Sequence, residues 1–140
     1  MDILSHQNTL TDGTITGGEP DESALEQLKA AGFDALISLR GIGESPFGAS
    51  HFESHGFKFT HLPISGPADF TPEFIAAFDA AITGDAAKVA VFCATGNRVG
   101  AAFALHAFEH KHQSAEAAMN LGIQAGLTRL AGFVQQRLSM

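Results

Sequence analysis

Val89-Ala90-Val91-Phe92 places four apolar residues in a row. A run without polar alternation fits a strand covered on both faces, as at the centre of a parallel sheet. A tight turn, Cys93 to Asn97, follows at once, and Arg98 to His110 is then apolar nearly all round. That is the pattern of a buried helix. A covered strand running straight into a covered helix restricts the chain to the α/β class, with helices packed on a mainly parallel sheet.

The rest of the chain agrees with this reading. Thr14 to Thr16 predicts a short first strand, broken by Gly17-Gly18-Glu19-Pro20. Asp21 to Ala31 predicts a helix, with Ser23 and Glu26 at the spacing of a capping box and Leu25 and Leu28 on the apolar stripe. Gly32 ends it. Asp34 to Leu39 predicts a buried strand with Arg40 at its C-terminal end. Gly41 to Ser50 has loop composition, and His51 to His55 fits one helical turn. Phe57 to Leu62, closed by Pro63, predicts a further strand. After a loop from Ser65 to Phe70, Thr71-Pro72-Glu73 supplies a cap, a first-turn proline and a first-turn acid. Phe74, Ile75, Phe78 and Ile82 then share one helical face, and Gly84-Asp85 stops the helix. Two more helices are predicted over Ser114 to Ala125 and Thr128 to Leu138. Ala115, Ala118, Met119, Gly122 and Ile123 form the stripe of the first, and Leu130, Val134 and Leu138 that of the second. The expectation is one domain over residues 1–140, a three-layer sandwich with a sheet of four or five strands.

Composition excludes several function classes. Of 140 residues, 45% are hydrophobic and 16% charged, the balance of a globular chain. Lys plus Arg total 8 against 15 Asp plus Glu, a net charge of -7 that repels a nucleic-acid backbone. No apolar run approaches membrane-spanning length. Residues Met1 to Gly13 lack the pattern of a secretory signal, so the default expectation is the cytoplasm. The single cysteine cannot form an intramolecular bridge.

That cysteine carries the chemistry. In Cys93-Ala94-Thr95-Gly96-Asn97-Arg98-Val99-Gly100 a strand end leads through a short glycine-bearing loop to an arginine that opens a helix. The amides of Ala94, Thr95, Gly96, Asn97 and Val99 can converge on one point, toward which the helix directs its positive end. Arg98 adds a planar fork suited to an oxyanion. Cys93 in that field is expected to sit partly as thiolate, open to solvent, with an anion above the sulfur. Ligands of open α/β sheets bind at the C-terminal ends of the strands, where Cys93 stands.

The loop resembles the phosphate-binding loop of the cysteine-dependent protein tyrosine and dual-specificity phosphatases. More of the chain resembles a bacterial branch of that superfamily, whose domains are sometimes fused to β-lactamase-like metallohydrolases. The residues carrying this resemblance are Thr16-Gly17-Gly18-Glu19-Pro20, Ala31-Gly32-Phe33, Ile37-Ser38-Leu39-Arg40 with Glu44, Gly56-Phe57, and His61-Leu62-Pro63-Ile64. With the loop they span residues 14 to 110. The resemblance implies a phosphatase fold, a thiol-phosphate intermediate on Cys93, Arg98 as phosphate clamp, and hydrolysis of a phosphomonoester without metal or other cofactor. It also implies an aspartate acid on an upstream strand-to-helix loop, and Asp69 occupies such a loop. Glu73 is the reserve candidate for that role. Arg40 is expected at the same sheet edge as Cys93, either assisting substrate binding or paired with Glu44.

Three departures open alternatives. Four residues separate Cys93 from Arg98 where the phosphatases have five, and the shorter spacing resembles rhodanese sulfurtransferases. Phe92 stands where the family has histidine, and Val99 where it has serine or threonine. A persulfide-carrying sulfurtransferase and a non-catalytic oxyanion-binding module are therefore the competing readings. Thr95 and Asn97 are expected to shape the loop through their backbones more than their side chains. His106 and His110, four apart with His112 nearby, fit a polar helix end better than a metal site, and no metal is expected.

Overall fold

In the computed structural model, which describes residues 2–84 and 88–139, the hydrophobic pattern resolves into five strands and six α-helices. In chain order they are β1 (Asn8–Thr9), β2 (Ile15–Gly18), α1 (Glu22–Ala30), β3 (Ala35–Ser38), α2 (Ala49–Ser54) and β4 (Lys58–His61). Then come α3 (Pro72–Ile82), β5 (Val89–Cys93), α4 (Asn97–Leu105), α5 (Ala115–Gln124) and α6 (Ala131–Leu138). The sheet order is β1-β2-β5-β3-β4, parallel except for the antiparallel β1–β2 pair. β5 is central, as its unbroken apolar run requires, and every residue in it is buried.

Two-residue alternation divides β5 between two cores. Val89, Val91 and Cys93 face one cluster with Phe74, Ile75 and Phe78 of α3, the buried face of α4, and Val134 and Leu138 of α6. Ala90 and Phe92 face the other, with Leu25 and Leu28 of α1 and Phe52 of α2. The result is the three-layer sandwich expected, with helices on both faces of the sheet.

Several boundaries differ from expectation. The strand at Ile15 runs on through Gly17-Gly18 instead of breaking there, because Gly17 pairs with Phe92 and Gly18 with Cys93. A side chain at Gly18 would strike Ser5 and come 2.7 Å from the Ala94 carbonyl, so glycine lets the strand lie against the loop. The two-residue β1 is too short to leave a periodic signal. Asp21, not Ser23, caps α1, accepting the Ala24 N–H at 2.8 Å, while Ser23 accepts from Gln27 instead. Thr71 and Ser114 cap α3 and α5 through their hydroxyls. The helix after Cys93 is α-helical only to Leu105 and continues as a π turn, His106–His110. On α5 only Ala118 and Gly122 are fully buried, and Ile123 is 55% exposed. Of the predicted stop at Gly84-Asp85, Asp85 lies outside the described residues. Among the described residues no helix is long and apolar enough to cross a membrane.

Candidate active site

The parallel register gathers the candidate residues at one end of the sheet. Ser38 pairs with Phe92 and Gly18 with Cys93, so the residues after β2, β3 and β5 emerge side by side. A further bond from the Leu39 N–H to the Phe92 carbonyl, at 2.8 Å, carries the β3 chain out beside Cys93. Arg40 and Glu19 emerge at the same edge.

Cys93 is the last residue of β5 and is only 1% exposed. This corrects the expectation of an open thiol: the two-residue alternation turns its side chain into the α3–α4 core. Its sulfur is nonetheless engaged by the loop, accepting the Gly96 N–H at 3.1 Å. Gly96 bends that amide inward with φ +92, a conformation L side chains rarely adopt, and caps α4. Ala94 and Thr95 form the exposed crest of the loop, and Val99 is buried completely, leaving only its backbone for any ligand.

Arg98 leans over the loop and is fixed by two partners. Its Nη1 donates to Glu44 Oε1 at 2.8 Å and to the Ile64 carbonyl at 2.8 Å, and its Nη2 donates to Glu44 Oε2 at 2.7 Å. Nε–H and the second Nη2–H stand outside these bonds. They form the side-on fork of the guanidinium, the edge suited to a second oxyanion. The bond to Glu44 raises the affinity of Arg98 for its proton above the ordinary arginine value; burial opposes that, and the nearby Cys93 sulfur adds to it. Glu44 is correspondingly lowered from 4.5 to about 2, first by Arg98, then against burial by the Gly41 N–H at 2.8 Å and by the Arg98 and Arg40 charges.

Arg40 stands in the same network. Its Nε lies 3.2 Å from Glu44 Oε2 and 3.6 Å from Glu19 Oε1, and its Nη2 donates to the Glu44 carbonyl at 3.2 Å. Glu19, Arg40, Glu44 and Arg98 thus alternate in sign behind the loop. The Arg40–Glu44 pair is present, and it holds Arg40 in this support.

Asn97 behaves differently from expectation, since its side chain matters as much as its backbone. Asn97 is buried, and its Oδ1 accepts from the Thr128 N–H at 3.0 Å, the Thr128 hydroxyl at 3.2 Å and the Leu130 N–H at 3.1 Å. The Thr16 hydroxyl adds a second tie, donating to the Ala125 carbonyl at 2.7 Å. The α5–α6 connection is therefore tied to the loop by Asn97 and to β2 by Thr16, a role no local sequence signal reveals.

Asp69 sits in a 3-10 turn, Pro67–Asp69. Its Oδ2 accepts the Ser65 N–H at 2.8 Å and the Gly66 N–H at 3.3 Å, which braces the loop after β4. That loop joins the arginines around a cleft of about 230 Å³ lined by Ile64, Ser65, Gly66, Asn97, Arg98 and Arg129, among others. Arg129, overlooked in the sequence because it follows no motif, is an exposed cation on this cleft. Glu73 is exposed in the first turn of α3. Thr95 borders a different depression, of about 430 Å³, with His6, Gln7 and Thr128.

Comparison with known proteins places this architecture. No family model and no curated protein matches the chain. Solved structures do. Tk-PTP in its active form aligns with a TM-score of 0.68 at 21% identity, over 89% of this chain and 90% of that one. A candidate phosphatase from Neisseria meningitidis Z2491 aligns at 0.70 and 21%, over 99% and 96%. The core catalytic domain of the PP-IP phosphatase SIW14 from S. cerevisiae, in complex with citrate, aligns at 0.70 and 12%, over 98% and 85%. The chain shares the fold of these phosphatase-like proteins.

Proposed function

We propose that the chain is a cysteine-dependent phosphatase that hydrolyses a phosphomonoester through Cys93. The observation that carries this reading is the division of labour on Arg98. Its end-on fork is held by Glu44, and the Cys93 sulfur, beneath a loop amide, is close enough to interact with the same guanidinium. An oxyanion reaching the loop would meet its amides and the Arg98 guanidinium, with the sulfur below them. The fold shared with phosphatase-like proteins supports the same reading.

In this reading the reaction runs in two steps. The Cys93 thiolate attacks phosphorus, forming an S–P bond as the ester P–O bond breaks. The departing oxygen takes a proton from Asp69, whose Oδ1 stands outside its bonds to the loop. Water then attacks phosphorus, giving up its proton to Asp69, and inorganic phosphate leaves as the thiolate is restored. Because Cys93 is buried, the substrate must bring its phosphoryl group down to the loop floor.

The shortened loop favours a second reading, sulfur transfer through a Cys93 persulfide. One set of assays separates the two. Hydrolysis of an aryl phosphate that disappears in Cys93→Ser supports the phosphatase. Hydrolysis unchanged in that variant overturns it. Sulfur added to Cys93 by thiosulfate, seen by mass spectrometry without phosphate release, supports the transferase. Failure of both, with sulfate still raising the unfolding temperature saturably, identifies an oxyanion-binding module.

A further inference from the structure

α4 starts at the loop and carries His106 to the opposite end of the fold, a rise of about 14 Å along the helix. There the chain departs from α geometry into the π turn, and π turns are frequent at functional sites. His106 and His110 stack at 5.2 Å between ring centroids and 14° between planes. Both present Nε2 to Asp79 of α3: His106 lies 2.8 Å from Oδ1 and His110 3.3 Å from Oδ2. Asp79 is distant in sequence, so the histidine pair alone shows only two donors of the set.

We propose that Asp79, His106 and His110 form a binding site for a divalent transition-metal ion of the zinc class. The three donor atoms all lie within 4.8 Å of one another. Tetrahedral zinc, with bonds of about 2.0 Å, places its ligand atoms about 3.3 Å apart, so the His106–Asp79 contact needs to widen by only about half an ångström. Two imidazoles and one carboxylate suit zinc, and three protein ligands leave a fourth position open. His106 is 6% exposed at the side chain, Asp79 24% and His110 43%, giving one anchored ligand and one reachable from solvent. His106 also lines a cavity of about 440 Å³ with Asp12, Lys111 and Gln113, which leaves room beside the site for water or a small ligand. The net charge of -7 favours capture of a cation. The site is separate from Cys93 and does not depend on the phosphatase reading.

The rival role is a hydrogen-bonded clamp between α3 and the end of α4 that binds no metal. Zinc titration of the full, chelator-stripped chain by calorimetry distinguishes them, with cobalt absorption as a second readout. The expected result is one saturable zinc per chain. Affinity should fall more than about tenfold in His110→Ala, a half-exposed position whose loss leaves the core intact. Cys93→Ser and His112→Ala should retain the affinity. Cobalt should give tetrahedral absorption bands that disappear in His110→Ala only. Absence of saturable zinc binding, or binding that survives His110→Ala, overturns the proposal.

Discussion

Arg98 and Glu44 meet fork to fork, Nη1 on Oε1 at 2.8 Å and Nη2 on Oε2 at 2.7 Å, across 54 residues of sequence. The pair sets the plane of the guanidinium before any ligand arrives. Arg40, beside the same carboxylate, is a second cation on Glu44, so Arg98 is not the sole counter-charge of that carboxylate. Such bidentate geometry is directional, and its loss would let Arg98 swing by more than productive anion binding tolerates.

Glu44→Gln keeps the shape but replaces one accepting oxygen with an amide that cannot receive an N–H. In the phosphatase assay, kcat/KM should fall about 100-fold, the scale of a misplaced catalytic group. Stability at neutral pH should fall by about 1–2 kcal/mol for the lost charged hydrogen bond. The pH dependence has a definite sign. Glu44 is lowered from 4.5 to about 2 in the folded state, so its contribution is complete above 4.5 and disappears as pH falls toward 2. Denaturant unfolding of both proteins across that interval should show the stability gap closing in acid. A gap that stays constant would place the shift elsewhere.

The sequence showed where the reactive loop lies but not what holds it. Val89 to Phe92 and the Cys93–Arg98 turn are local signals, and local signals specify strands, caps and tight turns. Asp79, Asn97 and Arg98 take their partners from residues far along the chain, Asp79 with His106, Asn97 with Thr128, Arg98 with Glu44. Those meetings depend on the sheet order, which single-sequence periodicity does not encode. The burial of Cys93 escapes local sequence signals for a related reason. The charge field around a loop can be read from residue types, whereas the face toward which a strand-end side chain turns depends on register.

Asp69 braces the turn at Ser65 and Gly66, and that contact is separable from the proton donation proposed for it. Asp69→Asn keeps an oxygen for the two amides, so folding should be nearly unchanged. If Asp69 is the acid, kcat should fall by about 100-fold for alkyl phosphates. Aryl phosphates, whose leaving oxygen needs no proton, should lose much less. Equal losses on both substrate types would assign Asp69 to the loop alone.

Asn97→Ala removes one acceptor and strands two part-buried backbone amides, those of Thr128 and Leu130. A fully buried unsatisfied donor costs about 1–3 kcal/mol, and these part-buried ones cost toward the lower end of that range. The unfolding temperature should fall clearly, and amide exchange should quicken in the α5–α6 connection. Exchange confined to other segments would show that Asn97 does not tie this connection to the loop.

Arg129 extends the same reasoning to substrate recognition. It is exposed on the cleft it shares with Arg98, yet it belongs to the α5–α6 connection and takes no part in the Glu44 network. A cation placed there meets the charge of an arriving phosphate before the loop does, and an exposed pair contributes about 1 kcal/mol. Arg129→Ala should therefore raise KM about fivefold with little change in kcat, because the contact exists equally in the bound substrate and the transition state. The effect should shrink as salt rises and screens the charge. A fall in kcat at unchanged KM would instead put Arg129 among the groups that act only in the transition state.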